Sequence, residues 1–255
     1  VIDDQLPDVE DMQRIAAEVG YSETAFAARS GEGAFRVRYF APESEVPFCG
    51  HATIALGAAL AESVGPGRYD LVLNHAEISV TGAIDDEGMS AALQSPPTSS
   101  RPAEPALVAA ALDLFGLDAD DLDGRLPPGL VEAGARHLAL ALVSRERLSR
   151  MAYDLEQGRT LMREHGLVTI SLVHVAGERR FDARNAFASG GVLEDPATGA
   201  AAAALAGYLR DLGWPHGGSI EIAQGDDMGM PSRITAEIPP TPGSSIRVSG
   251  RVRRI

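Results

Sequence analysis

A chain of 255 residues with a formal net charge of −14 repels phosphate backbones, which argues against nucleic acid as a partner, and it does not favour anionic membranes. Its single cysteine excludes an internal disulfide framework and any thiolate-clustered zinc site. At 45% apolar and 5% aromatic residues, the composition is that of a globular protein whose helices pack closely on Ala and Gly.

Val1-Ile2-Asp3-Asp4 lacks the basic region and apolar stretch of a signal peptide, so a cytoplasmic location is expected. Asp11–Val19 carries Met12, Ile15, Ala16 and Val19 at helical spacing, with Gly20 as its C-cap. The run 24–40 reads as strand, turn, strand, with Ser30-Gly31-Glu32-Gly33 as the turn. His51–Ser63 reads as a small-residue helix, and 68–93 as strands joined at Asn74-His75 and Asp86-Glu87-Gly88. The Pro/Ser-rich stretch 94–106 is the expected linker or crossover. Gln157–Glu164 then reads as a helix and 167–187 as strand, turn, strand. Pro196–Leu212 is an Ala-rich helix, its Ala-rich stretch 200–206 too short to span a bilayer, and strands follow at 219–225, 232–238 and 244–255.

The second half thus repeats the order of the first. At a gapless offset of 146, Gly20, Gly31, Glu32, Phe35, Arg38, Val46, Ala55 and Ala58 recur as Gly166, Gly177, Glu178, Phe181, Arg184, Val192, Ala201 and Ala204. Roughly three identities would arise by chance in so Ala/Gly-rich a stretch. The expected architecture is α+β: two pseudo-symmetric halves, each a mostly antiparallel sheet wrapped around a central helix. The expected boundaries are 1–95 and 96–243, with the last strand, 244–255, returning to the first half.

That offset sets Cys49-Gly50-His51 opposite Asp195-Pro196-Ala197, each opening a small-residue helix. Unpaired N–H groups at two such helix starts, facing one cleft, would suit a small carboxylate ligand. Read singly, Cys49 is a buried small side chain, His51 either caps the helix or binds a ligand, and Asp195 is an N-cap. The six histidines show no ligand spacing, so no metal site is expected.

The stretches GYSETAF (20–26), FAPESEVPFCGHATIALGAAL (40–60), GARHL (134–138), GGVLEDPATGAAAAALAGYL (190–209) and QGDDMGMPSRI (224–234) resemble the PhzF-like phenazine biosynthesis family. The resemblance implies a diaminopimelate epimerase-like fold and a cofactor-independent isomerase. It implies Glu23 as general acid/base, His51 and Asp195 as its catalytic partners, and a substrate carboxylate near Cys49, Gly50, Gly199 and Ala200. It also implies a homodimer. Two departures stand out. Ala200 replaces the serine usual in the family, and relatives begin with an earlier strand and a Gly-Asn-Pro turn.

Proton transfer by one carboxylate on a small carboxylate substrate is therefore the leading expectation. A two-base racemase or epimerase using Cys49 and a catalytically idle ligand-binding protein are the alternatives. The two-base reading lacks a second thiol in the other half.

Overall fold

The structure, a computed structural model, describes residues 1–86 and 88–253. The expected Glu87 turn residue and the last two residues of the 244–255 strand lie outside the described residues. The chain divides into two compact units, Val1–Gln94 with the chain from Ser249 onward, and Ser95–Val248.

The first unit runs β1 (Ile2–Asp3), α1 (Val9–Val19), β2 (Thr24–Gly31), β3 (Ala34–Phe40), β4 (Glu45–Val46), α2 (Gly50–Ser63), β5 (Gly67–Val72), β6 (Glu77–Asp85) and β7 (Gly88–Gln94). Its strands lie in the order β1-β2-β3-β5-β6-β7, with β4 on β3. Pairing is antiparallel except at β1/β2 and β3/β5. Helix α2 packs against β2, β6 and β7. Its buried residues include Ala52, Thr53, Ile54, Leu56, Gly57, Ala58, Leu60 and Ala61, which leaves it no broad polar face. The amphipathic α1 covers the other side of the strands. There Met12 and Ala16 meet Phe26 and Phe40, whose rings stand edge to face at 5.7 Å. Gly20 ends α1 in the left-handed region, φ 71°, as expected of a C-cap.

The second unit runs β8 (Ser99–Pro102), α3 (Pro105–Phe115), β9 (Gly129–Glu132), β10 (Arg136–Leu142), α4 (Arg145–Ser149), α5 (Leu155–Glu164), β11 (Thr169–Gly177), β12 (Arg180–Ala186), β13 (Glu194–Asp195), α6 (Gly199–Asp211), β14 (Ser219–Gln224) and β15 (Ser232–Glu237). The unit boundary falls inside the last strand, β16 (Arg247–Val252). Strand order is β15-β14-β12-β11-β10-β9-β8, with β13 on β12. Pairs β10/β11 and β12/β14 are parallel. Helix α6 is enclosed even more fully than α2: every residue from Ala201 to Arg210 is buried. Outside the sheet, Leu107, Leu148 and Met162 from α3, α4 and α5 close a second core over β10 and β11.

Three expectations need correction. The Pro/Ser-rich stretch is not a plain linker, because Ser99–Pro102 pairs with β9 as an edge strand, where a proline without N–H is tolerated. Helix α6 starts at Gly199 rather than Pro196, because Glu194 and Asp195 are held as strand against Ala186 and Asn185. Asp195 is therefore not the N-cap; Thr198 is.

The gapless repeat also fails beyond the first hairpin. Tyr39 and Asn185 are equivalent at offset 146, but their partners Val46 and Asp195 are 149 apart. Residues 187–193 in the second unit replace the shorter loop 41–44, adding a 3-10 turn at Ala188–Gly190. Gly50 thus corresponds to Gly199, Cys49 to Thr198 and His51 to Ala200, and the mate of Asp195 is Val46.

An enclosed helix needs backbone-close contacts. A Cβ on Gly82 would lie 2.1 Å from the Gly57 carbonyl oxygen and 2.8 Å from the Ala61 Cβ. Gly82→Ala should therefore destabilise the protein by about 1–3 kcal/mol in denaturant unfolding. Gly67→Ala, with nothing within 4 Å of the added carbon, should change stability far less.

Candidate active site

In the first unit the chain brings Glu23, Cys49 and His51 together. Glu23 precedes β2, and Cys49 and His51 flank the first residue of α2. The Glu23 side chain is only 4% exposed, and its Oε2 lies 3.1 Å from His51 Nε2. That approach lacks hydrogen-bonding geometry: Oε2 is buried and has no hydrogen-bond partner. Ser22 Oγ sits 3.3 Å from the same Nε2. Cys49 Sγ lies 3.5 Å from His51 Nδ1 and 3.7 Å from Nε2. One ligand atom from each of the three residues falls within 4.8 Å of the others. The histidine spacing in the sequence gives no sign of this convergence.

The start of α2 is fixed from inside the unit. Thr53 donates to the Cys49 carbonyl through both its N–H, at 3.0 Å, and its hydroxyl, at 2.6 Å. Since the Thr53 proton points to Cys49, the Tyr39 hydroxyl, 2.6 Å away, donates to Thr53. Burial pushes the Tyr39 phenol well above its ordinary pKa, so it stays a donor. The N-cap residue Cys49 makes no side-chain cap bond, and no acidic residue lies in the first turn. On the outer face, Arg38 clamps Glu45 through two bonds of 2.7 and 2.6 Å, holding β4 against β3 just before the helix. Arg184 and Glu194 make the equivalent clamp in the second unit.

In the second unit the start of α6 is a buried polar network. Gln224 Nε2 donates to Thr198 Oγ1 at 3.0 Å and to the Asp195 carbonyl at 2.6 Å. Thr198 Oγ1 in turn donates to Asp195 Oδ2 at 2.7 Å, and the Thr198 N–H donates to Gln224 Oε1 at 3.2 Å. These bonds suit an ionised Asp195, 4% exposed. Nearby in the register, His137 Nδ1 meets Thr169 Oγ1 at 2.8 Å, while His137 Nε2 and Asn185 Oδ1 are buried without a hydrogen-bond partner. Burial lowers the His137 pKa to about 4, against the opposing charge of Asp195. As in α2, the first turn of α6, with Gly199 and Ala200, has no side-chain cap.

The PhzC-PhzF family of phenazine biosynthesis-like proteins matches residues 1–252. The chain belongs to this family. An uncharacterized isomerase of Deinococcus radiodurans is 33% identical over 240 residues, which cover 90% of this chain and 77% of the relative. The trans-2,3-dihydro-3-hydroxyanthranilate isomerase of Pseudomonas aeruginosa is also 33% identical, over 246 residues, 94% of this chain and 82% of that enzyme. The solved structure of a predicted epimerase from Pseudomonas aeruginosa superposes with a TM-score of 0.85 at 27% identity, covering 100% of this chain and 90% of that one. The PhzF-like chain is an isomerase, and its fold is the expected α+β one.

Sequence reasoning missed Thr198, Gln224 and Asn185. A signal was present: β14 alternates Ile220, Ile222, Gln224 and β12 alternates Phe181, Ala183, Asn185, so each strand points an amide where its period calls for an apolar residue. A cavity of about 400 Å³ in the second unit, lined by Met151, Tyr153, Arg184, Leu193 and Met228 among others, holds none of the expected site residues.

The neutral, buried His137 makes a pH prediction. Its pKa is lowered to about 4 in the folded state, so the unfolded chain takes up a proton first as pH falls. Stability should be lost between about pH 6.5 and pH 4, by about 3 kcal/mol from this group. His137→Gln should flatten that part of the unfolding free-energy profile relative to the parent protein.

Proposed function

We propose that this PhzF-like protein is a cofactor-independent isomerase that moves a proton on a small carboxylate substrate, with Glu23 as general acid/base. The observation that carries this reading is the buried Glu23 oxygen that lacks a hydrogen-bond partner beside His51. A carboxylate oxygen without a partner has a lone pair ready for a proton, and burial keeps water from competing for it. Glu23 takes the proton from an activated carbon and returns it at another position. His51, 24% exposed at its side chain, faces both Glu23 and solvent and stabilises charge as it develops. Amide groups of Gly50 and His51 at the start of α2 bind carboxylate oxygens, with Cys49 as a packing residue beside them.

In the second unit, Asp195 serves as an ionised carboxylate held in one orientation by Thr198 and Gln224. Gly199 and Ala200 offer amides at the start of α6, and Ala200 offers no hydroxyl. The proposed substrate class, in line with the isomerase relatives, is a small unsaturated or amino carboxylate. The dihydro-hydroxyanthranilate of the Pseudomonas enzyme is the first compound to test.

A second reading has one observation in its favour. Cys49 Sγ lies 3.5 Å from His51 Nδ1, close enough for the imidazole to activate a thiol. Its repeat mate is Thr198, so a second thiol base is not supplied by the equivalent position. Solvent exchange in D₂O separates the two. With Glu23 as acid/base, Glu23→Gln should lower deuterium incorporation into a turned-over carboxylate by about 10²–10⁴-fold, while Cys49→Ala retains most of the rate. The reverse pattern would assign the chemistry to the thiol. We further propose a homodimer; light scattering should give twice the 26.8 kDa chain mass, and a monomer mass would refute it.

A further inference from the structure

The convergence of Glu23, Cys49 and His51 supplies three chemically different donors: a carboxylate oxygen, a thiol sulfur and an imidazole nitrogen. We propose that these three side chains form a binding site for a thiophilic divalent cation, Zn²⁺ in the first place, and that the bound ion blocks Glu23. The proposal rests on the reading of Glu23 given above only for the blocking effect; the metal site stands on the geometry.

Three features argue for it. The first is donor spacing. Zinc bonds of about 2.0–2.3 Å at tetrahedral angles put nitrogen and oxygen donors about 3.3 Å apart and nitrogen and sulfur donors about 3.6 Å apart. His51 Nε2 stands 3.1 Å from Glu23 Oε2 and 3.7 Å from Cys49 Sγ, and one donor from each of the three residues lies within 4.8 Å of the others, so the donors converge on one point.

Charge is the second. One thiolate and one carboxylate neutralise a divalent ion, and neutral His51 adds none, so the buried cluster carries no net charge when loaded. The third is the buried Glu23 Oε2, which has no hydrogen-bond partner and which an ion would satisfy. Ser22 Oγ, near His51 Nε2, or a water on the exposed side of His51 completes four-coordination.

Binding displaces one proton, from the Cys49 thiol to solvent, so affinity should rise with pH. The ion takes up the Glu23 lone pair that would accept the substrate proton. The loaded enzyme is therefore inactive, and a chelator restores it.

Co²⁺ is the probe, because a thiolate–cobalt charge-transfer band in the near ultraviolet can come only from the single cysteine of the chain. Titration of the metal-free protein should give that band with one equivalent of Co²⁺, together with the strong visible bands of a four-coordinate ion. Zn²⁺ should abolish both. Cys49→Ser should lose the band. His51→Ala and Glu23→Gln should each keep the fold and bind Co²⁺ at least about tenfold more weakly. Absence of the band, or an unchanged titration in both His51→Ala and Glu23→Gln, would overturn the site. Zn²⁺ should also stop solvent exchange into substrate in the parent protein. Full exchange with Zn²⁺ bound would overturn the block.

The cobalt titration needs no substrate. It can succeed even if Glu23→Gln leaves catalysis intact, which would refute the acid/base role and leave the metal site standing.

Discussion

A helix enclosed by strands has no solvent-facing stripe, and that constraint shapes both units. Helix α2 buries Gly57 against Gly82 so closely that a single methyl group would meet a backbone carbonyl. Helix α6 meets the same demand with a run of alanines and with Gly207, whose added Cβ would lie 2.6 Å from Thr98. Such helices cannot display function along their length. Their N-terminal ends carry the positive end of the helix dipole, and Cys49, Gly50, His51, Gly199 and Ala200 of the expected site lie there.

The same scaffold carries different chemistry at its two helix starts. Where the first unit places Tyr39, Val46 and Leu73, the second places Asn185, Asp195 and Gln224, by the strand registers around β3 and β12. In the first unit the buried carboxylate Glu23 has His51 as its neighbour. The second has a hydrogen-bonded frame in which Thr198 donates to Asp195, and burial keeps His137 neutral. Duplication followed by divergence at inward-facing positions accounts for this, because inward positions set the chemistry while the Arg–Glu clamps preserve the geometry. Arg38–Glu45 and Arg184–Glu194 persist in both units although the loops between their partners differ in length.

Much of this was legible in the residues. The amphipathic α1, the hairpins and both central helices follow from spacing and glycine placement, because local periodicity reports which face is buried. The three-residue slip of the repeat was not legible. Val46/Val192 and Ala55/Ala201 are identities by composition, and only strand pairing shows Glu45 and Gly50 to match Glu194 and Gly199. The strand at Ser99–Pro102 was hidden for a related reason: its pairing with β9 is non-local, and its proline-rich composition resembles a linker. Glu23 carries no periodic or motif signal of its own. It was found through family resemblance, and its burial beside His51 is a tertiary fact.

The central claim is that Glu23 meets the reacting carbon of a small carboxylate. A crystal structure with anthranilate bound tests it most directly. The account predicts carboxylate oxygens on the amides of Gly50 and His51 and a ring carbon within about 3.5 Å of the Glu23 carboxylate. Anthranilate bound elsewhere, for example in the cavity beside Tyr153 and Arg184, with Glu23 untouched, would contradict it.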